Sequence, residues 1–416
     1  MKLTATEQAM LQGVEGPAVQ LAMEIVCEMG ELQGADELIA ITGAHIDGTV
    51  YEGDAIVDFV ERLAELGAKV RVPSTLNAVS VDVKNWRKRG IPEHYATQAM
   101  RIVDGYLAMG LRPTFTCSPY QIGYLPKFGE QVAWGESNAI AFANSVCGAR
   151  TERYGDFMDI SAAIVGRVPA VGLHLTENRR AKAWFRIADD IDDELRHSDI
   201  FYPLLGYWIG EHTGADIPVV SGIPQDVTSD RLKALLAASA SSGAVALMHM
   251  VGVTPEAPDL DTACQGQAPE AVFDVTRDDL RKAFASLNHS ATGELDAVVL
   301  GSPHFSAQEF TELAHLVRGR EKHPDVKFLV TTNRASYESA KASGVLEVVE
   351  GFGAEIVQDT CILLAPILDD SIHTMMTNSG KYAHYSPGRL GVKVYFGTLE
   401  DTVESAVAGS ARWRGF

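Results

Sequence analysis

The chain has 416 residues, 46% hydrophobic and 22% charged, a globular composition with apolar material for two or three cores. Its 35 basic and 55 acidic side chains leave a formal charge of −20, which argues against nucleic acid or an anionic membrane surface as the main partner and for a small molecule. Five cysteines are too sparse and uneven for a disulfide framework, and residues 1–8 lack the apolar run of a signal peptide, so reduced thiols, a cytoplasmic setting and no membrane span are expected.

Residues 5–30 carry helical apolar spacing, with Cys27 on the apolar stripe. A buried strand is expected at 38–42, then a loop holding His45 and Asp47, a helix at 54–66 and a strand at 69–72. After a loop at 73–79 come a helix at 93–107, a strand at 113–117, a helix at 136–146 and a strand at 170–174. A helical stretch at 189–211 reads as a passage between lobes. A second series follows, with strands near 218–220, 244–248, 297–300, 328–331 and 355–364, and helices at 229–238 and 307–317. This alternation predicts an α/β fold of parallel sheets with helices on both faces, in lobes 1–216 and 217–416 with the active site in the cleft between them.

Cys117 and Cys361 each follow a strand-like run and a Thr, where an α/β sheet exposes functional groups. Thiols far apart in sequence and without CxxC spacing suit an iron–sulfur cluster assembled from separate strand ends, although a free Cys is also a common buried packing residue. Cys147 precedes a Gly at a helix end and reads equally as ligand or core. Four polar clusters accompany the thiols. Ser74, Thr75 and Asn77 sit beyond a strand, and Glu136, Ser137 and Asn138 stand at a helix N-terminus where capping alone explains at least one of them. Arg150 with Arg153, beside Thr151, offers guanidinium groups to a carboxylate, or else forms surface ion pairs. Ser302 and His304 end another strand, with His304 a candidate proton carrier, and Asn378, Ser379 and Lys381 form an anion-binding grouping that lacks the full ATP-loop pattern. Cys264 has no strand before it.

Taken in order, Thr116-Cys117-Ser118-Pro119-Tyr120, Gly135-Glu136-Ser137-Asn138-Ala139, Asn144-Ser145 with Gly148-Ala149-Arg150-Thr151, Gly301-Ser302-Pro303-His304, Asp359-Thr360-Cys361 and Asn378-Ser379-Gly380-Lys381 resemble the large-subunit portion of aconitase X. The resemblance implies an iron–sulfur hydro-lyase with aconitase-like α/β domains, lacking the swivelling small domain, which a separate small subunit would supply in a heterodimer. It implies dehydration of cis-3-hydroxy-L-proline, with mevalonate 5-phosphate dehydratase large subunit as the alternative; a noncatalytic oxyanion-binding subunit is the reading outside enzymology. Ser302 stands where many relatives carry Cys, which makes Cys147 the natural third ligand beside Cys117 and Cys361. A 2Fe–2S cluster is then preferred to 3Fe–4S or 4Fe–4S. Ser74, Thr75 and His304 are the expected catalytic groups. His45, Asn77, Glu136, Ser137, Asn138, Arg150, Thr151, Asn378, Ser379 and Lys381 are expected to bind substrate.

Overall fold

Short buried strands alternate with amphipathic helices in the computed structural model, which describes residues 1–289 and 293–413. The chain forms two compact units, Met1–Arg180 and Ala181–Phe416. The expected boundary at 216 lies further along because the stretch around 189–211 is no free connector. Its main helix, Phe201–Thr213, is buried over its first ten residues and belongs to the second unit.

In the first unit a three-stranded parallel sheet runs in the order Ser74–Leu76, Ala44–Ile46, Ala133–Trp134. His45 therefore lies in the central strand, where a loop was expected. The strand expected at 69–72 forms at Ser74–Leu76 instead, because the chain becomes fully buried only from Ser74 onward. The segment 38–42 contributes only Leu38–Ala40, paired antiparallel with Arg167–Pro169 away from that sheet. The expected strand at 113–117 is extended chain that bridges Thr75 through Arg112 and turns at Phe115, whose φ is 43°. Residues 5–30 divide into Ala5–Leu11 and Pro17–Leu32, since Gly13 and Gly16 hold positive φ and Pro17 restarts the helix at its first position. Met23, Val26, Val57, Val60, Ile102 and Ile164 are among the side chains of its core.

The second unit holds two wholly parallel sheets. One is ordered His249–Met250, Pro218–Ser221, Ala183–Ile187, Ala271–Val275, and the other Glu355–Gln358, Lys327–Thr332, Ala297–Phe305, Thr374–Thr377, Lys393–Phe396. In the five-stranded sheet, Ala297–Phe305, Lys327–Thr332 and Thr374–Thr377 are buried along almost their whole length, which explains why they gave no alternating signal. Helix Phe201–Thr213 packs on Ser229–Gly243 with almost no separation: a Cβ on Gly206 would lie 2.1 Å from the Leu235 carbonyl oxygen, and one on Gly243 would lie 2.0 Å from that of Gly210. Gly206→Ala is expected to lower unfolding stability by about 1–3 kcal/mol, since backbone cannot yield as a side chain can and the crowding outweighs the gain in helix propensity. Denaturant unfolding checks this; an unchanged or raised midpoint would refute the close crossing. Among the described residues no helix is long and apolar enough to cross a membrane.

Candidate active site

The parallel strands of the first unit deliver their polar groups at one end. Register sets His45 opposite Thr75 and Trp134, and the His45 Nδ1 lies 2.8 Å from the Thr75 hydroxyl. His45 is wholly buried, and among the described residues its Nε2 meets no hydrogen-bond partner. An orphaned buried polar atom costs about 1–3 kcal/mol, a cost a ligand group would remove. Burial pulls the His45 pKa down to about 4, against the Glu136 carboxylate and the Thr116 backbone, so the ring is neutral near pH 7. Ser74 donates to the Val72 carbonyl at 2.9 Å.

Just beyond these strands stand Asp47 and Asn77, the Asn77 amide nitrogen donating to the Asp47 carboxylate while its buried Oδ1 has no partner among the described residues. Asp159 accepts the Asp47 amide at 2.6 Å from a fully buried position, where burial holds its carboxyl well above the usual range. A Cβ on Gly135 would meet the side chains of Asp47 and Asp159 at 2.7 and 2.8 Å, so this close approach requires glycine. Neither Asp47 nor Asp159 figured among the expected site residues. Asp159 has no local motif; only the fold brings it under Asp47.

Glu136 is the N-cap of helix Ser137–Ser145: its carboxylate accepts the Ala139 amide at 2.7 Å and the Ser137 hydroxyl at 3.2 Å. Asn138 donates to the Cys117 carbonyl at 3.0 Å and to the Tyr120 hydroxyl at 2.9 Å, which fixes the turn carrying Cys117. In the last turn of that helix, Asn144 exchanges two 3.0 Å hydrogen bonds with the Thr151 backbone and closes the loop that carries Cys147. The Thr151 hydroxyl accepts the Trp134 amide at 3.0 Å, and Arg150 donates to the His174 carbonyl at 3.1 Å. These bonds set Asn138 behind the Cys117 turn and tie Thr151 to Trp134 and Arg150 to the turn at His174.

His174 is buried between the Tyr154 hydroxyl and the Gln131 side chain. Burial first, then the Arg179 and Arg150 charges, bring its pKa down to about 3 from 6.5. Between these values the unfolded chain binds a proton that the folded ring refuses, so its contribution to stability is present above pH 6.5 and falls away as pH drops toward 3. At pH 5 the loss is about 2 kcal/mol. The difference in unfolding free energy between pH 7 and pH 5 is expected to shrink by that amount in His174→Gln; an equal pH slope in the variant would contradict it.

In the second unit, Gly301 has a φ of 96° and lies so near the Thr331 carbonyl oxygen that a Cβ would not fit, and the strand register shifts between Leu300 and Phe305. Ser302 is thereby presented beside Ser379, the N-cap of helix Gly380–Leu390, whose hydroxyl donates to the Ser302 carbonyl. A cavity of about 190 Å³ is lined here by Ser302, Asn378, Ser379 and Lys381 together with Lys233 and Glu309. Helix N-terminal amides and the Lys381 ammonium make this end of it suited to an anion. His304 points elsewhere: it is completely buried and its Nε2 meets the Thr360 carbonyl at 3.2 Å.

The cysteines sort by exposure. Cys27 and Cys264 are buried core residues, whereas Cys117, Cys147 and Cys361 are half-buried, and none of the five is in a disulfide. Desolvation pushes Cys147 up to about 12. Burial also raises the Cys361 thiol, although the Leu363 and Leu364 amides, Lys381 and Tyr382 all favour its thiolate. The strand expected at 355–364 ends at Gln358, leaving Cys361 in a turn.

Profiles of the aconitase X first, second and third domains match residues 1–177, 181–285 and 295–408. The chain belongs to the aconitase X family. It is 46% identical to a cis-3-hydroxy-L-proline dehydratase of Pseudomonas aeruginosa, over 98% of this chain and 70% of the relative. It is 43% identical to one of Hypocrea jecorina, over 98% and 69%. A phosphomevalonate dehydratase large subunit of Methanothermobacter thermautotrophicus is 39% identical over 95% of this chain and 96% of its own. The crystal structure of Thermococcus kodakaraensis aconitase X in its holo-form superposes with a TM-score of 0.88 at 34% identity, covering 98% of this chain and 100% of that one.

This aconitase-like family is characteristically iron–sulfur dependent. The chemistry of the half-buried thiols in this aconitase X chain suits such a group: they are soft donors, and at Cys361 a lysine and backbone amides favour the thiolate against the burial that raises it. Cys117 and Cys147 lie in the first unit and Cys361 in the second. Among the described residues, no group of three or more His, Cys, Asp or Glu side chains is spaced to hold a metal ion as it stands.

Proposed function

We propose that this chain is the catalytic large portion of a cis-3-hydroxy-L-proline dehydratase, which removes the C3 hydroxyl and the C2 proton of its substrate as water. The observation that carries this reading is the 46% and 43% identity, over 98% of the chain, to two dehydratases of that name, against 39% to the large subunit of a phosphomevalonate dehydratase. Cys117, Cys147 and Cys361 would hold the iron–sulfur cluster, with 2Fe–2S the type three thiolates and Ser302 favour. When bound, the cluster supplies a Lewis acid for the departing hydroxyl.

The chain's own residues account for the rest. Lys381, Asn378 and the Ser379 cap bind the substrate carboxylate at the N-terminus of helix Gly380–Leu390, where amide dipoles and a positive charge coincide. The neutral His45 ring, held through Nδ1 by Thr75, offers Nε2 to a substrate oxygen or proton, and Asn77 offers its free carbonyl oxygen. Ser74 and Thr75 complete that side. A small partner subunit closes the site; support comes from relatives that are named large subunits and align over 96–100% of their own length. Cysteines kept as thiols fit a reducing, cytoplasmic setting.

Protein purified without air and combined with the small subunit tests the reading when cis-3-hydroxy-L-proline and mevalonate 5-phosphate are offered in parallel. Preference for the hydroxyproline is the expected result. Turnover of the phosphorylated acid alone would transfer the chain to the other branch, and binding of either without turnover would leave it a binding subunit.

A further inference from the structure

The wall of the Ser302 and Lys381 cavity contains a charge that carboxylate binding leaves unused. Lys233, on helix Ser229–Gly243, has only 2% of its side chain exposed, yet it pairs with Asp230 at 2.8 Å and with Glu309. Its ammonium also donates to the His304 carbonyl at 3.4 Å. Burial works against the charge, and Glu309 and Asp230 outweigh it, holding the ammonium above its ordinary range.

The two carboxylates are themselves anchored at a strand end. The Ser306 amide donates to Glu309 at 2.7 Å and the Ser306 hydroxyl to Asp230 at 2.7 Å, while Ser306 caps helix Ala307–Val317 through the Glu309 amide. Lys233, Asp230, Glu309 and Ser306 thus clamp the point where strand Ala297–Phe305 becomes a helix onto helix Ser229–Gly243. The segment just before the clamp does two further jobs. Its Ser302 carbonyl takes the hydroxyl of Ser379, the cap of the anion-binding helix, and its His304 ring holds the Thr360 carbonyl next to Cys361.

We propose that Lys233 is a positioning residue for the dehydration: by fixing residues 302–304 it sets the place of the Ser379 helix N-terminus and of the Thr360 turn. The choice of substrate in its test rests on the function proposed above; the positioning itself does not. A small displacement of donors that orient a substrate costs far more in rate than in folding, which separates this role from plain stabilisation.

The experiment compares the full chain with its small subunit as the parent, Lys233→Arg, and Lys233→Met combined with Glu309→Gln, the last removing the buried charge with one of its two carboxylate partners while Asp230 keeps the hydrogen bond from the Ser306 hydroxyl, so that the fold is kept. Hydrogen exchange is measured over residues 301–306 and 377–383, with 327–332 as the reference, beside steady-state kinetics on cis-3-hydroxy-L-proline. The double variant is expected to exchange at least about tenfold faster in the two test segments and not in the reference, to raise KM about tenfold with a smaller fall in kcat, and to be largely rescued by arginine. A folded double variant with unchanged exchange in those segments, or with changed exchange and unchanged KM, overturns the proposal. If the parent itself does not turn over the hydroxyproline, the substrate reading fails, and the exchange result alone decides for or against Lys233.

Discussion

Cys361→Ser, and likewise Cys117→Ser, is expected to strip iron and acid-labile sulfide from protein purified without air and to lower turnover by about 10³-fold, the value of several kcal/mol of charge stabilisation at the departing oxygen. The thiol is exchanged for a hydroxyl of similar size at a half-buried position, so the fold is expected to persist. Cys264→Ser provides the contrast: that thiol is 1% exposed in an apolar cluster with Ala181, Val219 and Ala257. It should cost stability and leave iron per folded chain unchanged. Iron retained in Cys117→Ser or Cys361→Ser, or lost only in Cys264→Ser, would remove the proposed ligand set.

The second large effect is expected at Arg334. Its guanidinium makes two parallel hydrogen bonds of 2.7 Å to the Asp359 carboxylate, whose side chain is 1% exposed. Asp359 also adopts a φ of 69°, a conformation that tertiary contacts must impose on a residue other than glycine. Arg334→Met strands that carboxylate in the protein interior, and removing one partner of a buried pair costs about 3–5 kcal/mol. Because Asp359 opens the turn to Cys361, iron retention should suffer along with stability. Adding Asp359→Asn removes the stranded charge and is expected to recover much of the stability. An Arg334→Met chain with the parent's denaturation midpoint would show that the pair carries no such weight.

The α/β class was legible because helices such as Ser137–Ser145 and Ala307–Val317 advertise themselves by apolar spacing and caps, at nearly the expected bounds. Strand positions were less so. The run at 69–72 reads as a strand by composition, but it is Ser74–Leu76 that pairs with Ala44–Ile46, because only there does the chain enter the interior. A strand such as Thr374–Thr377 was missed, since a short strand buried along its whole length in a covered parallel sheet shows no alternation.

Sequence by itself determined the family, through motifs spread across the chain, and with it the candidate thiols, the polar strand ends and the anion-binding helix start. Their chemistry resides in residue type and local order, and both can be read in one dimension. Tertiary structure decided which candidates face a cavity and which stand behind it. It gave His304 to the Thr360 carbonyl and Asn138 to the Cys117 turn, put Asp159 beneath Asp47, and buried Lys233 between two carboxylates from different helices. Those outcomes depend on burial and, apart from Asp230 one helical turn from Lys233, on partners that are distant along the chain, and the strength of a hydrogen bond or an ion pair is set by distance and local dielectric, which only the folded chain possesses.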